Sequence, residues 1–169
     1  MKFKTIEEFK QAHKHPVIIV LDNIRSLNNV GSFFRTADSF LLEGIYLCGI
    51  TGKPPHREIE KTALGATLSV DWKYFETTQQ AIIELKKNAY TILAVEQSDN
   101  SIYLQNFDLN NSKKIALIFG NEVTGINTSI MAMCDAIIEI PQMGTKHSLN
   151  VAVCGGIVCW EILRKMNYI

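Results

Sequence analysis

A chain of 169 residues suits one domain of ordinary size, long enough to bury a core without disulfide or metal staples. Its 47% hydrophobic and 20% charged residues are those of a soluble globular protein, and no run approaches the roughly 18 apolar residues that span a membrane. Lysine plus arginine equals aspartate plus glutamate at 17 each, which excludes a global basic field, so a nucleic-acid partner would need a local patch.

The N-terminus, MKFKTIEEFKQAHKHP, is charged rather than apolar, which excludes a secretory signal and points to a cytoplasmic location. Within it TIEEFKQAH predicts a short helix, and residues 1–15 read as an extension of a single domain covering 1–169. PVIIVLD then predicts a strand and NVGSFFRTADSFL a helix; GIYLCGI is a strand, REIEKTALG a short helix and VDWKYF a strand. TTQQAIIELKKN is a helix with a threonine cap, followed by the strands YTILAVE and KIALIFG, the helix NTSIMAMC, the strand AIIEIP and the long helix SLNVAVCGGIVCWEILRKM. QSDNSIYLQNFDLNNSKK, between two core strands, reads as a surface connection. Alternating strands and helices imply a parallel α/β sheet flanked by helices, and runs such as IALIF and TILAV are apolar without alternation, as strands buried on both faces should be.

Ligands of open α/β sheets collect at the carboxyl ends of the strands, and three such ends stand out. In LDNIRSLNNVGSFFR, Asn28 or Asn29 can cap the helix and Gly31 permits close approach. On that helix Phe33, Phe34, Ala37, Phe40 and Leu41 gather on one side at about 100° per residue, while Ser32, Arg35, Thr36 and Ser39 occupy the other; Arg35 is either a solvated charge or a chemical group. In IALIFGNEVTGIN a buried strand runs into Gly120, Asn121 and Glu122, and Gly125 closes the turn; any tight turn could use those glycines.

The third end, IEIPQMGTKHSLNVAVCGGIVCWE, places Ser148 where a helix begins. From Val151 to Trp160 that helix is apolar on every side, which predicts burial all round, within the chain or at a subunit interface. Gly155 and Gly156 in its interior cost about 1 kcal/mol each relative to alanine, which close approach of another backbone would offset. Cys48, Cys134, Cys154 and Cys159 lack ligand spacing and predict buried thiols. The histidines lack zinc spacing, no nucleophile elbow surrounds Ser148, and the dinucleotide and nucleotide phosphate fingerprints are missing, so no metal is expected.

Taken together and in order, NNVGSFFRTAD, LIFGNEVTGIN and IPQMGTKHSLNVAVCGGI resemble the three motifs of the SpoU (TrmH) family of RNA ribose methyltransferases, in the SPOUT superfamily. The resemblance covers Pro16 to Met166, and S-L-N-V is its most specific element. It implies a parallel α/β sheet whose C-terminal segment forms a trefoil knot, a homodimer with the active site near the subunit interface, and S-adenosylmethionine as methyl donor for a ribose 2'-OH of tRNA or rRNA. By motif position it implies Gly120, Ile140 and Leu149 as cofactor contacts, with Val95 and Glu96 supplying further walls. Arg35 is implied as the catalytic residue, as a base or as the group that holds a phosphate and steadies a developing alkoxide. Asn29 would orient Arg35 or the ribose, Glu122 would support the arginine, and Ser148 and Asn150 would position the loops, helix capping being the competing role for those two. Arg25, Arg57 and Lys61 are candidate RNA contacts, the last two in HREIEKTALGA. A non-catalytic RNA-binding or assembly factor and a base methylase are the alternative readings on the same scaffold.

Overall fold

The computed structural model describes residues 4–169; residues 1–3 of the expected N-terminal extension lie outside the described residues. Thr5 opens helix α1 (Ile6–Gln11), its hydroxyl accepting from the Glu8 N–H while the Glu8 carboxylate accepts from the Thr5 N–H. This reciprocal cap closes a short helix that few other forces would hold. Phe9 on α1 is buried in the core.

Seven parallel strands form one sheet: β1 (His15–Asp22), β2 (Leu42–Cys48), β3 (Trp72–Phe75), β4 (Thr91–Val95), β5 (Ile102–Tyr103), β6 (Ile115–Phe119) and β7 (Ala136–Glu139), in the spatial order β3-β2-β1-β6-β4-β7-β5. Val20 pairs with Tyr46 on one side and Ile118 on the other, and the β1–β2 register shifts once, between His15 and Ile18. Alternate residues of β1 enter different cores: Val17, Ile19 and Leu21 face one layer, and Ile18 and Val20 the other. A strand with both faces covered can therefore be apolar throughout.

The first layer holds α2 (Leu27–Ser39), α3 (Arg57–Ala63) and α6 (Val151–Lys165); the second holds α4 (Thr78–Lys87) and α5 (Thr128–Met131). Helix α2 buries Val30, Phe33, Phe34 and Ala37, the apolar stripe expected from its periodicity. It lies against α3 so closely at Gly31 that a Cβ there would run into the Ile59 carbonyl and the Thr62 hydroxyl. Gly155 of α6 faces the Phe33 ring with equally little room, which accounts for one helix-interior glycine; Gly156 has open space where a side chain would stand.

Three local expectations are corrected. The connection after β4 contains strand β5, paired to β7 through Ile102 with Ile138 and Tyr103 with Glu139, and a 3₁₀ turn over Leu104–Asn106; two exposed residues give too short a pattern to read. Helix α6 is not buried all round: Val158, Cys159, Ile162 and Leu163 are buried, whereas Val153, Ile157 and Trp160 are exposed. Cys48 and Cys159 are buried, but Cys134 and Cys154 only half so. No helix among the described residues is long and apolar enough to cross a membrane.

Candidate active site

The chain runs outward from β1 through β2 to β3, then returns to build the sheet on the other side of β1. A crevice forms beyond the carboxyl ends of strands at such a reversal. The loops leaving β4, β6 and β7, and the start of α6, enclose a cavity of about 410 Å³ on the β6 side of that reversal, within the range that takes a small organic ligand.

Its floor is backbone. Gly120 follows β6 directly, and a Cβ on it would come within 2.6 Å of the Gly125 carbonyl carbon and the Ile126 nitrogen. The turn is folded by Asn121, whose carbonyl accepts from Gly125 N–H at 2.9 Å and whose side-chain oxygen accepts from Val123 and Thr124 N–H at 2.9 and 3.1 Å. Gly125 has φ +65, a conformation open to glycine, and a Cβ would also strike the Glu96 carboxylate. Glu96 accepts from Ile126 N–H and from Gln97 N–H, each at 3.0 Å, so this carboxylate binds the end of β4 to the turn after β6.

The rim is tied by a second carboxylate. Glu122 accepts from Arg25 N–H at 2.9 Å, from Ser26 N–H at 3.0 Å and from the Asn29 amide at 3.0 Å. Partial burial pushes the Glu122 carboxyl up, but the three donors outweigh it and hold the group below its ordinary range. The Asn29 oxygen accepts in turn from the Asn150 amide at 3.2 Å. Asn150 caps α6, its oxygen accepting from Ala152 and Val153 N–H, while Ser26, not Asn28 or Asn29, caps α2. The asparagines are thus free of the capping role at α2, and Ser148 is not the cap of α6.

Val95, Glu96, Gly120, Glu122, Ile140, Ser148, Leu149 and Asn150 all line this cavity, and Asn29 touches two of them. Arg35 does not. Six residues separate it from Asn29, about 240° around the helix, so it points into a separate groove with Ser32, Thr36, Lys61, Thr62 and Gly156. The expected support of Arg35 by Glu122, and its orientation by Asn29, are therefore not formed within one chain: Glu122 and Asn29 bond each other. Arg25 and Arg57 are exposed, and Lys61 pairs with Glu58 at 2.7 Å.

Sequence reasoning did not single out Cys154, Gln97 or Glu139, which also line the cavity. Burial first, then the nearby Glu96 charge, pushes the Cys154 thiol up to about 11, so it serves as a wall and not as a nucleophile. Among the described residues no three side chains are grouped as a metal would require.

Fold and cavity together define an open α/β protein with a cavity of small-ligand size on a backbone floor at its strand ends. The model of the SpoU rRNA methylase family matches residues 16–160, and the chain belongs to that family. It is 27% identical over 162 residues to a tRNA (guanosine(18)-2'-O)-methyltransferase of Borreliella burgdorferi, covering 96% of this chain and 72% of the relative. The fold matches an AdoMet-bound rRNA methyltransferase from Sinorhizobium meliloti with a TM-score of 0.83 at 27% identity, over 92% of this chain and 59% of that one. It also matches a TrmH/SpoU tRNA modifying enzyme of A. aeolicus with a TM-score of 0.84 at 26% identity, over 96% and 81%. The chain spans 65% of the length of a curated relative from Staphylococcus saprophyticus.

Proposed function

We propose that the protein transfers the methyl group of S-adenosylmethionine to a ribose 2'-OH in tRNA or rRNA, with residues 1–169 acting as one methyltransferase domain. The observation that carries this reading is the cavity itself: a backbone floor at Gly120, apolar walls at Val95, Phe119, Ile140 and Leu149, and Glu96 and Glu122 in the lining without a lysine or arginine. Such a lining fits a ligand that is flat and apolar at one end and cationic at the other. When bound, the cofactor supplies an electrophilic methyl group.

The chain's own residues then have to align a hydroxyl and manage its proton. Gly120, Ile140 and Leu149 hold the cofactor through main chain, with Val95 and Glu96 beside them. Asn29, Glu122, Ser148 and Asn150 keep the rim in place. Arg35 is permanently cationic at ordinary pH, which suits it to hold a phosphate and stabilise developing negative charge on the ribose oxygen. Arg25, Arg57 and Lys61 supply further contacts to the RNA backbone.

Two copies of the chain form the working unit in this reading. Gly156 of α6 lines the groove that holds Arg35, Val153, Ile157 and Trp160 of the same helix are exposed, and covering this helix with a second copy would bring Arg35 to a complete site while burying the apolar residues. The segment from Pro141 to Asn150, with α6 returning to α2, forms the trefoil knot expected of the family. In this reading the protein works in the cytoplasm.

Calorimetry with S-adenosylmethionine, followed by nucleoside mass spectrometry of RNA incubated with enzyme and cofactor, tests the proposal. Cofactor binding and a ribose-methylated nucleoside are expected; a methyl on the base, or cofactor binding without methyl transfer, overturns it.

A further inference from the structure

A second surface lies at the same end of the sheet, with Arg57 the one of its residues given a role above. Tyr74 of the edge strand β3 is 39% exposed, and Ile50, just past β2, is 67% exposed. The Lys53 ammonium sits 4.0 Å from the centroid of the Tyr74 ring. The Tyr74 hydroxyl donates to the Gly49 carbonyl at 3.0 Å, which fixes the attitude of the ring instead of leaving it to swing in solvent.

Lys53 is the cation placed against this ring. Lys53 forms no ion pair among the described residues, nor does Arg57. The carboxylate next in the chain, Glu58, is occupied by Lys61 at 2.7 Å. His56 accepts from Glu58 N–H through Nδ1 at 3.1 Å, which leaves Nε2 to carry the ring proton as a further donor. Lys53 and Arg57 are thus two exposed cations without an ion-pair partner among the described residues, in the segment that follows β2, while Glu76 just past β3 is also exposed.

This surface is tied to the cavity by hydrogen bonds. The Asn121 amide, at the cavity floor, donates to the Asn23 carbonyl at 2.8 Å. Asn23 holds the other side of the link, its side-chain oxygen accepting from Ile50 N–H at 3.1 Å. Three strand spacings separate β3 from β6, about 14 Å, so a nucleic-acid strand crossing the strand ends would reach both.

We propose that Tyr74 and Ile50 form a stacking platform for an unpaired base of the RNA substrate near the target nucleotide, the base displacing the Lys53 ammonium from the ring face and Lys53 and Arg57 then holding the flanking phosphates. Unpaired bases stack on aromatic side chains whatever their identity, while the backbone is held by nearby cations. One ring and one isoleucine give too little apolar area for a stable protein interface, and the unpaired Lys53 and Arg57 suit a polyanion. The platform rests on the reading of RNA as substrate.

The test titrates the full-length protein with bulk tRNA and with a labelled unstructured oligoribonucleotide of about 12 nucleotides, beside cofactor calorimetry and methylation assays. Tyr74→Leu is expected to weaken RNA binding by about 5- to 100-fold with cofactor affinity unchanged, and Tyr74→Phe to stay within about twofold of wild type. Lys53→Gln should reduce the slope of log affinity against log salt by about one. Ile50→Gln, on an exposed loop, should reproduce a smaller loss and decides the matter if Tyr74→Leu fails to fold. RNA binding by the folded variants equal to wild type overturns the platform. Wild-type protein that binds RNA through these residues but never methylates it overturns the enzymatic reading and leaves the platform standing.

Discussion

Asn29 and Glu122 lie 93 residues apart in sequence and meet through a hydrogen bond of 3.0 Å from amide to carboxylate. Because the Asn29 oxygen also accepts from Asn150 at 3.2 Å, one side chain clasps the turn after β6 to the start of α6. Asn29→Ala should therefore lower stability by about 1–2 kcal/mol and weaken cofactor binding several-fold, since both clasped segments line the cavity. Denaturant titration and calorimetry read the two effects separately; an unchanged cofactor affinity would remove the clasp from the site.

Acid should reveal the Glu122 donors. Its folded-state carboxyl is held below its ordinary range by the N–H groups of Arg25 and Ser26 and by the Asn29 amide, against the upward push of burial. A depressed acid contributes stability that is fully present above the unfolded pKa, about 4.3, and is lost as pH falls through the lower folded value. Melting temperatures of wild type and Glu122→Gln measured from about pH 7 downward should keep a constant gap above the unfolded carboxyl value of about 4.3 and converge only as pH falls from there through the lower folded value. A gap that stays constant through that acid window as well would show that the charge of Glu122 is not what its donors recognise.

Arg35 should separate chemistry from binding. It is exposed and lines the groove beside Lys61 and Gly156, away from the cavity at the strand ends. Arg35→Ala is expected to leave stability within about 0.5 kcal/mol and cofactor affinity unchanged while removing methyl transfer. Arg35→Lys should retain only a fraction of the rate, because a point charge cannot reproduce the planar fork of the guanidinium. Single-turnover assays at saturating cofactor check both, and full turnover by Arg35→Ala would end the assignment.

The two glycines of α6 should respond in opposite directions. At Gly155 a methyl group has no room against the Phe33 ring, so Gly155→Ala should cost about 1–3 kcal/mol. At Gly156 nothing lies within 4 Å of an added Cβ, and alanine there should stabilise the isolated chain by up to about 1 kcal/mol through helix propensity. Chemical denaturation distinguishes the pair.

The exposed face of α6 makes a claim about assembly. Ile157→Glu, on a position 43% exposed in the single chain, should leave the fold intact and shift the protein from dimer to monomer, because a charge cannot be buried unpaired at an interface. Sedimentation velocity reads the change. A wild-type protein that is monomeric at micromolar concentration would contradict the paired working unit.

Most of the fold was legible in the chain. Strands β1, β4 and β6 announce themselves as apolar, β-branched runs, and α4 shows its threonine cap three residues before Gln80, which completes the reciprocal bond. Where the reading failed, information was missing for a physical reason. Strand β5 is two exposed residues long, and pairing with β7 rather than hydrophobicity makes it a strand. Helix α6 looked buried on all sides because both its faces are apolar, yet a single chain covers only one of them.

The amino-acid order by itself determined the alternation of strands and helices, the parallel sheet it implies, and the three strand ends at which ligand chemistry belongs, because periodicity and turn chemistry act over a few residues. Only the tertiary structure decided which of those side chains meet. It joined Asn29, Glu122 and Asn150 into one rim, gave the capping of α2 to Ser26, and turned Arg35 away from the cavity that its motif neighbours line. Those outcomes depend on strand order and on the rotation of α2 against the sheet, which are set by packing between residues up to 121 positions apart.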